Sequence, residues 1–250
     1  MGGFLSGTLF FIVDKGKVRP TNEDFADART NAFGQIILIV ADGMGGKNKG
    51  DYAARYVGEK LAKAFQDLEK PLLKPHQATR WLYRTINRYN RDLYSKAHAN
   101  EAYKSMGTTL SVALLFSDQL VTAQVGDSRI YWINKEGALE QLTKDQTYVE
   151  HLVASKKIDR YEAMTHPERH KLTNAVGVRY NISIDFINYE YNGETILVCS
   201  DGLYNNVPKY DLQSILKGKD TPERKCYQLI AFGNSNGGSD NMAAVVWERN

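Results

Sequence analysis

The chain has 250 residues, 42% of them hydrophobic, and its 32 basic and 29 acidic side chains leave a formal charge of +3. That is the composition of an ordinary globular protein with enough chain to bury its own core without disulfide staples. No run of five like charges occurs, so the sequence offers neither a nucleic-acid arm nor a polybasic membrane patch. No apolar stretch approaches the roughly 20 residues of a membrane span.

The start, Met1-Gly2-Gly3-Phe4-Leu5-Ser6, lacks the charged and apolar regions of a secretory signal. It fits the loose pattern for N-myristoylation at Gly2, which is short and needs a eukaryotic host. Runs rich in Val, Ile, Leu and Phe then predict strands over 8–13 and 35–41. Between the second and third strands, apolar residues at helical spacing predict two helices, over 51–68 and 78–98, separated by Pro71 and Pro75. Strands follow over 109–116, 119–125, 129–134, 182–189, 195–200 and 243–247, with Ser117-Asp118 as a tight hairpin turn. Shorter helices are predicted over 209–216 and 222–232. The polar, irregular stretch 144–178 is expected to form an inserted flap on a single domain spanning 1–250. This order lacks the βαβ alternation of a doubly wound sheet and fits an α+β fold, two antiparallel sheets covered by helices. Cys199, in an apolar run, and Cys226, in a predicted helix, read as small buried hydrophobes, usage that suits a reducing, cytoplasmic compartment.

The acidic residues fall at the ends of apolar runs. Asp42 ends Ile36 to Ala41 and is followed by Gly43-Met44-Gly45-Gly46; Asp201 follows the run Ile196 to Cys199 and precedes Gly202. Asp127 follows Val125-Gly126, Asp240-Asn241 precedes the last strand, and Glu23-Asp24 follows the first. One such acid is usually a turn or cap, but several at strand ends imply a cluster at one sheet rim. Clustered carboxylates repel one another unless a cation neutralises them, and hard divalent cations take oxygen ligands. Glycine beside an acid lets the backbone come close enough for its carbonyl to serve as a ligand.

Rival chemistries fail on specific residues. A phosphate-binding P-loop ending at Gly46-Lys47 would need Gly at position 41 and Ser or Thr at 48, where Ala41 and Asn48 stand. A cysteine phosphatase would place Arg six residues after its nucleophile, where Asn205 and Phe232 stand. There is no Gly-x-Ser-x-Gly elbow. His76, His98, His151, His166 and His170 have no zinc spacing and read as surface or packing residues.

Taken in order, Arg19-Pro20-Thr21-Asn22-Glu23-Asp24, Asp42-Gly43-Met44-Gly45-Gly46, Met106-Gly107-Thr108-Thr109, Gly126-Asp127-Ser128-Arg129, His166-Pro167, Ser200-Asp201-Gly202 and Gly238-Ser239-Asp240-Asn241 resemble the protein phosphatase 2C family of metal-dependent serine/threonine phosphatases. The resemblance covers nearly the whole chain, and the short length and Met44 are similar to the bacterial branch. It implies a four-layer αββα sandwich with two Mn²⁺ or Mg²⁺ ions in a cleft at one end. By that analogy Asp42 bridges both cations, the Gly43 carbonyl binds one, Asp201 and Asp240 bind the other, and Glu23 and Asp24 hold metal-bound waters. A third cation near Asp127 is left open. Arg19 would grip the substrate phosphate with its fork of donors, while a water between the cations attacks phosphorus directly. The implied partners are proteins phosphorylated on Ser or Thr, including a cognate bacterial kinase, with no nucleic acid.

Three residues depart from the family pattern. Met44 stands where some members have His and cannot donate a proton. Asn205 replaces a further carboxylate, which weakens the case for the third cation. Gln146 replaces a common His and has no evident role in the sequence. Two other functions compete: a pseudophosphatase that binds phosphoproteins, disfavoured because Asp42, Asp201 and Asp240 are all present, and a two-metal phosphodiesterase or nuclease, disfavoured by the missing basic stripe.

Overall fold

The computed structural model describes residues 5–45 and 49–250; the Gly2 pattern and Gly46 lie outside them. Two antiparallel sheets pack face to face. One has the order β1-β11-β10-β7-β8, formed by β1 (Gly7–Asp14), β7 (Arg129–Ile133), β8 (Leu139–Gln141), β10 (Ile196–Cys199) and β11 (Met242–Arg249). The other has the order β2-β3-β5-β6-β9, formed by β2 (Asp24–Thr30), β3 (Ile36–Met44), β5 (Leu110–Phe116), β6 (Gln119–Val125) and β9 (Asp185–Glu190), with the short β4 (Gly107–Thr108) paired to the end of β3. Helices α1 (Lys49–Gln66) and α2 (Pro75–Ala99) cover the second sheet, and α5 (Asp201–Asn206), α6 (Lys209–Lys217) and α7 (Pro222–Ser235) lie against the first. This is the expected four-layer αββα sandwich.

The uninterrupted apolar runs follow from this layering. A strand between a helix layer and the opposite sheet is buried on both faces, and its alternate side chains go to different cores. In β3, Ile37, Ile39 and Ala41 join the core beneath α1 and α2, while Ile36, Leu38 and Val40 join the core between the sheets. In β11, Ala243, Val245 and Trp247 face the inter-sheet core, and Met242, Ala244 and Val246 face α6 and α7. Cys199 and Cys226 are buried and unpaired, as their apolar settings predict.

The strands read from sequence all form, and the Ser117-Asp118 turn takes a left-handed backbone at Ser117 (φ +54°). Three further strands, β2, β4 and β8, were not legible. In β2 the small, charge-interrupted sequence Asp24-Phe25-Ala26-Asp27-Ala28-Arg29-Thr30 hides the alternation, and buried Asp27 is satisfied locally by Arg29 and by the Ala28 N–H. The segment expected to be irregular carries α3 (Tyr148–Ala154) and α4 (Arg160–Thr165). Both have capping signatures in the sequence: Thr147 caps the Glu150 N–H, and Asp159 and Glu162 form a reciprocal capping box. Among the described residues, no helix is long and apolar enough to cross a membrane.

Candidate active site

The two sheets bring their acid-bearing ends together. Asp24 opens β2 and lies directly opposite Asp42 in the β2–β3 ladder. Asp201 begins α5 where β10 ends, Asp127 follows β6, and Asp240 precedes β11. A cavity of about 790 Å³ opens here, and Glu23, Asp42, Asp127, Asp201 and Asp240 line it together with Arg19 and Gly43. Seven of the eight residues singled out from sequence therefore share one cleft. The eighth, Asp24, is buried behind the wall, where it accepts a hydrogen bond from Ser200 Oγ (2.6 Å).

The local backbone is held at several points. Asp42 N–H donates to Thr109 Oγ1 (2.9 Å), and the Asp42 carbonyl accepts from Thr109 N–H (2.8 Å) and Thr108 Oγ1 (3.0 Å). Gly43 packs backbone to backbone against Gly50 in the first turn of α1, where an added Cβ would collide with the Gly50 carbonyl. The Asn241 side chain staples the loop carrying Arg19 and Glu23: its Oδ1 accepts from Glu23 N–H (2.9 Å), and its Nδ2 donates to the carbonyls of Lys15 and Thr21 (both 2.9 Å). Asn241 is thus a positioning residue for the whole first loop.

The electrostatics are those of crowded acids. Burial is the largest cause raising the pKa of Asp24, Asp42, Asp127 and Asp201, and repulsion from neighbouring carboxylates adds to it. Asp24 is pushed up to about 8 even with the Ser200 hydrogen bond favouring its charged form. The Asp42 carboxyl is within hydrogen-bonding reach of both Asp24 and Asp201. Arg19 donates to Asp240 Oδ2 (2.7 Å), which raises the guanidinium pKa.

The donor set suits hard divalent cations: carboxylate oxygens with a nearby backbone carbonyl, and no thiolate or imidazole among the expected ligands. Mutual repulsion of buried carboxylates is relieved by such charge. No three His, Cys, Asp or Glu side chains among the described residues are already drawn into a closed ligand group; Asp240 instead spends an oxygen on Arg19. The donor chemistry of the residues lining the cavity fits such a metal.

The sequence does not single out His170, Leu172 or Asn206, which also line the cavity. His170, which the sequence predicts as a surface or packing histidine, is exposed and lines the cavity, with Nδ1 3.9 Å from Asp201 Oδ2. No spacing signal could have found it, because the segment after α4 reaches the site only by folding back over it. Asn205, at the position expected to lack a ligand, donates to Asp201 Oδ2 (3.3 Å).

Comparison with known proteins agrees with this geometry. The family model for protein phosphatase 2C matches residues 17–228. The serine/threonine phosphatase stp of Listeria innocua is 37% identical over 96% of this chain and 95% of its own. The protein phosphatase PhpP of Streptococcus pneumoniae is 30% identical over 97% of each. The crystal structure of the serine/threonine phosphatase Stp1 from Staphylococcus aureus superposes with a TM-score of 0.89 at 35% identity, covering 98% of this chain and 97% of that one. By its acid cluster, its fold and these relatives, the chain belongs to the protein phosphatase 2C family.

Proposed function

We propose that this chain is a metal-dependent protein phosphatase that hydrolyses phosphoserine and phosphothreonine by direct attack of water, with no phosphoenzyme. The observation that carries this reading is the set of five acids, delivered by separate elements to one cavity where burial and mutual repulsion favour a bound cation. Asp42 would bridge two cations, Mn²⁺ or Mg²⁺, with the Gly43 carbonyl on one and Asp201 and Asp240 on the other. Glu23 and Asp24 would orient bound waters, Asp24 from behind Asp42, and Asp127 is the candidate for a third ion. Bound cations supply a water acidified toward neutral pH and neutralise charge on the phosphoryl oxygens.

The protein's own groups supply the rest. Arg19, which here donates to Asp240, would grip two phosphoryl oxygens, a role suited to its planar fork. Met44 lines the cavity and brings no proton to the leaving oxygen. The pseudophosphatase alternative is not favoured, since Asp42, Asp201 and Asp240 are all retained. The whole chain acts as one catalytic domain with residues 144–178 as its flap. Its partners would be phosphorylated proteins, a cognate kinase among them, and the two buried, unpaired cysteines suit the cytoplasm.

The test is phosphate release from a phosphothreonine peptide with Mn²⁺ or Mg²⁺, run beside bis(p-nitrophenyl) phosphate and single-stranded DNA. Turnover of the peptide is expected. Cleavage of the diester or the DNA with the peptide left intact would overturn the reading in favour of a nuclease.

A further inference from the structure

Gln146, the residue without a role in the sequence, makes side-chain hydrogen bonds to four residues beside the active-site cleft. Its Oε1 accepts from Gly126 N–H (2.9 Å) and from Asn174 Nδ2 (2.7 Å). Its Nε2 donates to Asp185 Oδ2 (2.8 Å) and, more weakly, to the Gln124 carbonyl (3.4 Å). These partners fix the amide orientation, because the reversed amide would set NH₂ against two donors. Its backbone N–H donates to the Gly126 carbonyl (2.9 Å), and its carbonyl accepts from Thr173 N–H (2.9 Å) and Thr173 Oγ1 (2.8 Å).

Those bonds tie together three parts of the fold. Gly126 precedes Asp127 and has a left-handed backbone (φ +92°), so the loop presenting Asp127 has little freedom once its N–H and carbonyl are both held. Thr173 and Asn174 end the segment that leaves the sandwich after Gln146. Its neck is closed by the Thr147–Leu172 bridge and by Tyr148 N–H donating to the Lys171 carbonyl (2.8 Å). Asp185 begins β9. Just inside this neck, His170 and Leu172 form part of the cavity wall. On the outer side, a second cavity of about 440 Å³ is lined by Gln146, Thr173, Asn174, Arg179 and Asp185.

We propose that Gln146 is a positioning residue that pins the neck of the flap to the Asp127 loop and to β9, and so sets how the flap wall receives a phosphoprotein chain. A protein substrate must run along that wall, whereas a small aryl phosphate needs only the acidic floor. The role requires a side chain that accepts on one side and donates on the other. A carboxylate of the same length can keep the Gly126 and Asn174 bonds but sets like charge against Asp185.

The experiment measures kcat and KM on a phosphothreonine peptide and on p-nitrophenyl phosphate, with saturating Mn²⁺. Wild-type turnover of both substrates keeps the phosphatase reading, on which this proposal rests, separate from the proposal itself. Gln146→Glu is expected to lower kcat/KM on the peptide about tenfold, mostly through KM, with p-nitrophenyl phosphate changed less than about twofold. Asp185→Asn alone, which still offers Gln146 an acceptor, should change little. The double variant, with donor and acceptor exchanged, should return peptide turnover to within about threefold of wild type. Asn174→Ala, which cuts only the flap arm, should repeat the peptide-selective loss and serves if Gln146→Glu fails to fold. Parallel losses on both substrates, no loss on either, or no recovery in the double variant would each overturn the proposal.

Discussion

Replacing Arg19 with alanine tests how the phosphate grip and the metal centre compete for one carboxylate. In the structure Arg19 is bonded to Asp240 (2.7 Å), with 53% of the Arg19 side chain and 33% of the Asp240 side chain exposed. An ion pair that wet is worth roughly 0.2–1 kcal/mol. A cation that needs Asp240 must displace the guanidinium, so Arg19→Ala should tighten Mn²⁺ binding by up to about fivefold. The phosphate grip is larger: charge-assisted bonds to phosphoryl oxygens contribute roughly 1.5–3 kcal/mol, so kcat/KM on a phosphopeptide should fall about ten- to a hundredfold. Arg19→Lys should recover only part of it, because an ammonium cannot make the bidentate fork. Isothermal titration with Mn²⁺ and phosphopeptide kinetics on both variants provide the readout. An unchanged kcat/KM in Arg19→Ala would remove Arg19 from the substrate site. A fall in kcat/KM with weaker Mn²⁺ binding would refute the competition for Asp240.

Three further outcomes follow from the acid cluster. Activity should vanish in EDTA and return with added Mn²⁺ or Mg²⁺, because oxygen-only sites bind such ions reversibly; full turnover in verified metal-free solution would sink the metal mechanism. Asp42→Ala should lower kcat by orders of magnitude while the melting temperature of the metal-free protein stays level or rises, since a buried, repelling carboxylate is removed; lost stability with retained specific activity would make Asp42 a turn residue instead. The pH response of the chelated protein has a definite sign. Unfolded aspartates release their protons near pH 4, whereas burial and repulsion make Asp24, Asp42, Asp127 and Asp201 hold theirs longer, Asp24 to about 8. The native state therefore binds more protons between those limits, and its stability should fall as pH rises from about 4 to about 8. Thermal melts at several pH values check this, and saturating Mn²⁺ should remove the decline; a metal-free melting temperature that rises with pH would refute the cluster's electrostatics.

The sequence by itself determined the sandwich and the acids. Runs such as Ile36 to Ala41 and Met242 to Trp247 are apolar at every position because both faces are buried, and an acid immediately after such a run is carried to a sheet end by a rigid element. The order of the motifs then identified the family without any coordinates. What only the tertiary structure decided are relations between residues distant in the chain. The Arg19–Asp240 pair spans 221 positions and the Ser200–Asp24 hydrogen bond 176, so no local periodicity records either. His170 joins the cavity only because the segment after α4 folds back, and Gln146 acquires its function from partners at 126, 174 and 185. Strand periodicity is written in neighbours two residues apart, whereas a polar hub is satisfied by whichever donors and acceptors the packed sheets bring within about 3 Å of it.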